Sequence, residues 1–271
     1  EVYVAPRTRF DKLHALDKEA YHLVLLCENE TGYRNLSYMV SRGFLDGFYN
    51  RPRVDMELLR AHHEGIIALS ACLAGKLPQL LIQGDYEGVK KAALEHAEIF
   101  GSDHYYLELQ NHGLPEQPKV NDQLVRLSEE TGLPLVVTND AHYLRQEDAK
   151  IQDVLMCIQM GKTVDDTNRL RFETQEFYLK SEEQMRELFS AYPEAIENTA
   201  RIAARCNVEF TFGKYHLPEF KLPAGYDSLT YLKELCDKGY KERYGDAHPE
   251  YRAQMDYEID MIEKMGFTDY F

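Results

Sequence analysis

Basic residues are scarce in this chain. Its 271 residues carry 31 lysines and arginines against 46 aspartates and glutamates, a formal net charge of −15. No basic stripe stands out, which excludes a principal nucleic-acid-binding surface, although an acidic surface can still flank a site that holds cations. The five cysteines, Cys27, Cys72, Cys157, Cys206 and Cys236, are widely scattered and form no C-x-x-C. Neither a disulfide framework nor a zinc ribbon is indicated, and a reducing, cytoplasmic setting fits. No stretch reads as a signal peptide, and no apolar run is long enough to span a membrane. Internal repeats and low-complexity tracts are absent too. What is present is 44% hydrophobic residues, enough at this length for one large core, or one core and the start of another.

The apolar residues fall into short runs separated by helical patterns. Val2–Val4, Tyr21–Cys27, Ile66–Ser70, Tyr105–Leu109 and the run from Leu133 read as buried strands. Between them, Gly32–Met39, the segment from Asp85 to a stop at Gly101, and Val120–Thr131 have helical spacing. This alternation predicts parallel β/α units, in a barrel or an open sheet. After His142 the pattern turns mostly helical. Ile151, Val154, Leu155 and Ile158 mark one helix, and Phe177–Leu179 is a short strand candidate. A capping box at Ser181 opens the next helix, and Pro193 begins another with Ala195, Ile196, Ala200 and Ala203 inward. The Gly/Pro-bearing stretch Phe212–Tyr226 reads as a linker, dividing the chain into residues 1–212 and 213–271. Two helices follow, Ser228–Lys238 stopped by Gly239, and Tyr251–Met265. Glu1 falls in mid-strand and Phe271 inside an aromatic run, which is the pattern of a piece of a longer protein.

The run Leu133–Tyr143 says most about chemistry, because an apolar strand ends in Asp140 and His142. Two residues apart in an extended segment, they point to the same side. Such a pair can hold a divalent metal, act as acid and base, or simply belong to a polar loop. In a parallel β/α fold, functional groups gather at the carboxyl ends of strands, which makes Cys72, Glu108 and His112 candidates as well. Each has a plainer role open to it: Cys72 as a small core residue, Glu108 and His112 as a solvated loop pair. Glu1 and His22 sit instead at the beginnings of their runs. Histidine, carboxylate and one thiolate together suit zinc; without the thiolate they also suit manganese.

Several motifs carry a resemblance. Glu1–Phe10 (EVYVAPRTRF), Ile66–Lys76 (IIALSACLAGK), Tyr106–Gly113 (YLELQNHG) and Val137–Leu144 (VTNDAHYL) together resemble the PHP (polymerase and histidinol phosphatase) domain of bacterial DNA polymerase III alpha subunits. Phe177–Lys180, Pro193–Thr199 and Met265–Phe271 extend the resemblance over essentially the whole chain. With no exonuclease-sized insertion before His142, it is similar to the DnaE type.

The resemblance implies an α/β fold: an incomplete, distorted β/α barrel lacking its first strands, followed by a mostly helical segment that opens the polymerase palm. It implies metal ligation by Glu1, His22, Cys72, Asp140 and His142, which match the family's G-x-E, strand histidine, S-x-C and D-x-H positions. Glu108 and His112 belong to a family motif without a settled ligand role. The family's first ligands, an H-x-H motif, would precede Glu1, so the cluster is expected to be incomplete and the chain itself inactive. Zinc or manganese would serve this site and magnesium the parent polymerase. Implied partners are DNA, deoxynucleoside triphosphates, a proofreading exonuclease and the sliding clamp, with no membrane. Two other readings compete: a free-standing PHP phosphatase, and a non-catalytic module that docks a proofreading subunit.

Nucleotidyl transfer needs carboxylates that hold two metals against the incoming triphosphate. Asp256, Glu258, Asp260 and Glu263 read instead as the solvated face of a helix. No template-dependent primer extension is expected from this chain at any Mg²⁺ concentration. A primer-extension assay checks this, and products abolished by mutating Asp260 would contradict it.

Overall fold

The computed structural model describes residues 1–214, 220–245 and 247–271. Six strands, β1 (Val2–Val4), β2 (Tyr21–Cys27), β3 (Arg53–Val54), β4 (Ile66–Leu69), β5 (Tyr105–Leu109) and β6 (Leu135–Val137), form one open sheet in the order β3-β1-β2-β4-β5-β6. The helices among them are α1 (His14–Asp17), α2 (Glu30–Leu45), α3 (Met56–Ala61), α4 (Lys76–Gln83), α5 (Tyr86–Phe100) and α6 (Gln117–Thr131). Then come α7 (Ala149–Met160), α8 (Glu182–Leu188), α9 (Pro193–Arg205), α10 (Ser228–Tyr244) and α11 (Pro249–Lys264). The chain separates into two compact units, Glu1–Glu209 and Phe210–Phe271.

The expected α/β architecture with an unclosed sheet is present, but the strands are not all parallel. β2 runs antiparallel to both neighbours, with Tyr3 opposite His22 and Val24 opposite Leu69. The other pairs, β1 with β3, β4 with β5 and β5 with β6, are parallel. The reason lies in the β1–β2 connection. Its one helix, α1, has four residues, too short to carry the chain across the sheet as a parallel crossover does. The chain turns back instead, and the turn is pinned by a buried arginine. Arg53, fully buried, donates to the carbonyls of Gly47 (3.1 Å), Asp17 (3.1 Å), Arg9 (3.2 Å) and Asp11 (2.8 Å). Arg9 in turn pairs with buried Asp55 at 2.9 Å, and Asp55 caps α3 by accepting from the Leu58 N–H. The guanidinium spends four of its five donors this way, which is what makes its burial tolerable.

Both faces of the sheet are covered, so its strands read as continuous apolar runs rather than alternating ones. Leu23, Leu25, Ile66, Ala68, Leu107, Leu109 and Val137 join the main core with residues of α2 to α6. On the opposite face Ile67, Leu69, Tyr106 and Val136 form a smaller cluster under Ile202 of α9.

Several expectations from pattern alone are corrected. Helix α7 has the expected span, yet Ile151, Val154, Leu155 and Ile158 are exposed. In α9, Ala195 and Ile196 face inward as expected, but Asn198 and Ile202 complete that face while Ala200 and Ala203 are exposed. Gly239 does not stop α10, which runs on to Tyr244 and ends at Gly245, φ +58°. A helix-interior glycine costs about 1 kcal/mol relative to alanine, an amount tertiary contacts override. Phe177–Leu179 forms no strand beyond a single bridge from Tyr178 to Tyr143. The short elements α1, β3, α3 and α4 have too little periodicity to be read in advance. The linker reading at Phe212–Tyr226 includes residues 215–219, which lie outside the described residues.

In the second unit, α10 and α11 are joined by Arg252–Asp237 (2.7 Å) and Lys233–Glu263 (3.8 Å). Asp256, Glu258, Asp260 and Glu263 are all exposed on α11, as the solvated-face reading requires.

Leu107, at 0% exposure on β5 between β4 and β6, should cost about 2–5 kcal/mol when truncated to alanine. Leu155→Ala on the uncovered face of α7 should stay within about 0.5 kcal/mol of the parent. Urea midpoints at constant m-value measure both.

Candidate functional site

Because β2 is reversed, its first residues lie at the end of the sheet where β4, β5 and β6 finish. His22 therefore stands beside the loop after β4, its backbone N–H donating to Ala74 O at 3.1 Å. Cys72 Sγ lies 3.6 Å from His22 Nδ1, and the Glu1 carboxylate touches the same nitrogen. Tyr3 meets the His22 ring edge-on, with centroids 5.1 Å apart. The loop that presents Cys72 is tightly built. Ala71 sits in the left-handed region at φ +67°, and a Cβ on Gly75 would fall 2.2 Å from Ser70 O. Such a turn persists only where its surroundings over-determine it.

Glu108 is what over-determines it. The side chain, on β5 and 4% exposed, accepts from the Ala71 N–H at 2.9 Å and from Gln110 Nε2 at 3.0 Å, and it meets the Thr138 hydroxyl. Its own backbone N–H donates to Ser70 Oγ at 2.8 Å. One carboxylate thus ties the loops after β4 and β6 to β5. Burial raises its pKa, opposed by the hydrogen bonds from Thr138, Gln110 and Ala71. Thr138 and Gln110 were not singled out from sequence. The available signal was spacing, since each stands two residues from a candidate, Asp140 and Glu108 respectively.

Beyond β6 the chain bends sharply, with Asp140 at φ +39°. His142 Nδ1–H donates to Asp140 O at 2.9 Å, which leaves Nε2 with its lone pair, the tautomer a metal ligand or general base requires. The Asp140 carboxylate lies 3.8 Å from the same ring. Phe172 and Phe177 meet that ring edge-on at centroid distances of 4.8 and 5.6 Å. His112 is placed differently. Its Nε2–H donates to Asn139 O at 2.8 Å, its Nδ1 accepts from Gln117 Nε2 at 3.0 Å, and its ring stacks on Phe177 at 4.4 Å. With both ring nitrogens spent and its pKa lowered by burial, His112 supports the D-x-H loop from beneath.

The five candidates therefore gather at one end of the sheet as two groups, Glu1–His22–Cys72 and Asp140–His142. Their fields overlap. Burial pushes the Cys72 thiol up to about 11, and Asp140, Glu1 and Glu108 push it the same way. The donor types suit a divalent transition metal. Their arrangement is not that of a closed site: among the described residues, no three His, Cys, Asp or Glu side chains stand where they could hold one ion.

Glu108→Ala should leave the buried Ala71 N–H without its acceptor, while Gln110 Nε2 keeps only its bond to the Thr138 hydroxyl. A loss of about 1–3 kcal/mol is expected in thermal denaturation. The Cys72-dependent part of thiol alkylation, found by difference from Cys72→Ser, should accelerate as the loop loosens.

Comparison with known proteins follows this geometry. Residues 1–112 match the PHP domain family, a span that takes in Glu1, His22, Cys72, Glu108 and His112 but stops short of Asp140 and His142. Residues 230–271 match the bacterial DNA polymerase III alpha NTPase domain. The chain is 47% identical to the DNA polymerase III subunit alpha of Treponema pallidum, over 100% of this chain and 23% of that protein. It is 43% identical to the subunit of Borreliella burgdorferi, over 100% of this chain and 24% of the relative. For that of Thermus aquaticus the identity is 44%, over 91% and 21%. The chain thus spans under a quarter of the length of these relatives. It carries a PHP domain match followed by a match to the bacterial DNA polymerase III alpha NTPase domain, and over its length it is similar to bacterial DNA polymerase III alpha subunits.

Proposed function

We propose that this chain is the PHP-bearing part of a template-directed DNA polymerase of the DnaE type, with a site for metal-assisted phosphodiester hydrolysis. The observation that carries the first half is the end-to-end similarity to alpha subunits. The site reading is supported by Glu1, His22, Cys72, Asp140 and His142 meeting at one end of the sheet. We place the PHP domain at residues 1–212 and the opening of the palm at 213–271. DNA, deoxynucleoside triphosphates, a proofreading exonuclease and the sliding clamp are the partners this assigns to the whole polymerase, acting in the cytoplasm with magnesium. No helix among the described residues is long and apolar enough to cross a membrane.

PHP domains are typically a metal-dependent family. Zinc held by these five residues, or manganese held by those other than Cys72, would polarise a phosphoryl oxygen and activate water. The residues themselves prepare for this unequally. His142 already presents a free Nε2, held in orientation by the Asp140 carbonyl. Cys72 is a protonated thiol at neutral pH, so ligation must release its proton and binding strengthens as pH rises. Glu108, Thr138, Gln110 and His112 position the loops.

A second reading, a rigid module that docks a proofreading subunit without chemistry of its own, draws on the internal hydrogen bonding of Glu108 and His112. It withdraws two polar side chains from the open end.

Titration with Zn²⁺ tests the site. Because no three donors share a point, binding should be weak, stripped by a weak chelator, tighter at pH 8 than at pH 6, and weaker still in Cys72→Ala and His142→Ala. Full retention after dialysis would show a closed cluster, and indifference to both substitutions would remove these residues from it. With Mn²⁺ added, slow shortening of 5′-labelled single-stranded DNA from its 3′ end supports phosphodiester hydrolysis. Cleavage of p-nitrophenyl phosphate alone supports a free-standing phosphatase, and neither activity supports the docking module.

A further inference from the structure

Beside the D-x-H loop lies a cleft of about 230 Å³, lined on one side by Lys150 of α7 and on the other by Arg169, Arg171 and Phe172. It falls below the roughly 300–1,000 Å³ of pockets that enclose drug-sized ligands, and so suits a single charged group with its attached sugar. The cleft shares a wall with the candidate site. Phe172 meets the His142 ring, and Tyr143, next in sequence to His142, lines the cleft as well.

Its charge runs against that of the chain, which is −15 overall. Asp153 lines the cleft but is engaged by both terminal nitrogens of Arg169. Lys150 and Arg171 form no ion pair within 4.0 Å among the described residues, and with Arg169 they outnumber the two carboxylates of the lining, Glu173 and Asp153, the latter also acting on Arg171 from a distance. Arg169 supplies an independent pointer. Its side chain is only 4% exposed, and its Nε is buried with no hydrogen-bond partner. A buried guanidinium donor without an acceptor is costly to maintain, and an anionic oxygen is the acceptor that best satisfies it.

We infer that this cleft is a phosphate subsite, taking one phosphodiester of a single DNA strand through Lys150, Arg169 and Arg171 and so laying the neighbouring linkage toward Asp140 and His142. The inference rests on reading that site as a phosphodiester hydrolase. A strand is favoured over a free phosphate because the cleft adjoins a second, separate set of groups suited to the next linkage. Arg169 is structural as well as binding, through Asp153, so the exposed Lys150 and Arg171 are the residues to vary.

The test is binding of fluorescein-labelled decathymidylate to the full chain, by anisotropy, at low salt with EDTA present so that no metal contributes. Lys150→Ala/Arg171→Ala should weaken binding at least tenfold and reduce the salt slope by about 1.4, the release of two counterions from a single strand. Arg171→Lys should recover part of the loss, and Lys162→Ala, outside the cleft, should change little. Circular dichroism confirms that the variants are folded. No measurable binding by the parent chain overturns the inference, as does an unchanged affinity in the double variant or an equal loss in Lys162→Ala. Displacement of the oligonucleotide by equimolar inorganic phosphate overturns the assignment to a strand. Since no metal is present, cleft-dependent binding without any metal-dependent hydrolysis would keep this inference and sink the hydrolase reading. Hydrolysis with cleft-independent binding would do the reverse.

Discussion

The Glu108 carboxylate is the constraint on which the open end of this sheet depends. Strands β4, β5 and β6 are four, five and three residues long, and their following loops have little secondary structure to hold them. A buried carboxylate accepts several hydrogen bonds at once, and here the donors come from the loops after two different strands and from its own. It is costly to bury, as the upward shift of its pKa records, and that cost is offset by donors that would otherwise be buried unpaired. Ala71 in the left-handed region and the close approach at Gly75 follow from it, because the loop must bring its N–H to that carboxylate.

The reversed β2 is the second determinant. In an all-parallel sheet a residue at a strand's start lies far from residues at its neighbours' carboxyl ends. With β2 antiparallel, His22 lies opposite the turn that carries Cys72, and the Glu1 side chain reaches it from the adjacent β1. The pinning of the β1–β2 turn by Arg53 and the Arg9–Asp55 pair is therefore more than packing. It fixes which end of the sheet receives His22.

Two histidines of the same end are held in contrasting ways. His112 gives both nitrogens to the protein, and its stacking on Phe177 makes it part of the support. His142 gives one, to a backbone carbonyl two residues away, and keeps the other free. The partners each ring finds, rather than the residue type, separate the positioning residue from the candidate ligand. Phe177 touches both rings, so the bridge that draws Tyr178 to Tyr143 bears on the placement of both.

Much of this was legible in the chain itself. The buried strands, the capping box at Ser181 and the helix that runs from Asp85 to its stop at Gly101 are local patterns of hydrophobicity and hydrogen bonding. The motifs around Glu1, Cys72, Glu108 and Asp140 carried the family resemblance. The direction of β2 was not legible, because an apolar run has the same composition whichever way it is laid. Nor was the exposure of α7, since helical spacing identifies an apolar face without saying what covers it. The roles of Glu108 and His112 were undecided for a similar reason: ligand and support use the same side chains, and only the donors brought to them by other strands distinguish the two. Sequence by itself determined the longer elements and the candidate residues, through short-range periodicity and motif. The tertiary structure alone decided which of those residues meet, because the groups that hold them, Ala71 against Glu108 and Gln117 against His112, depend on how strands and loops are laid together.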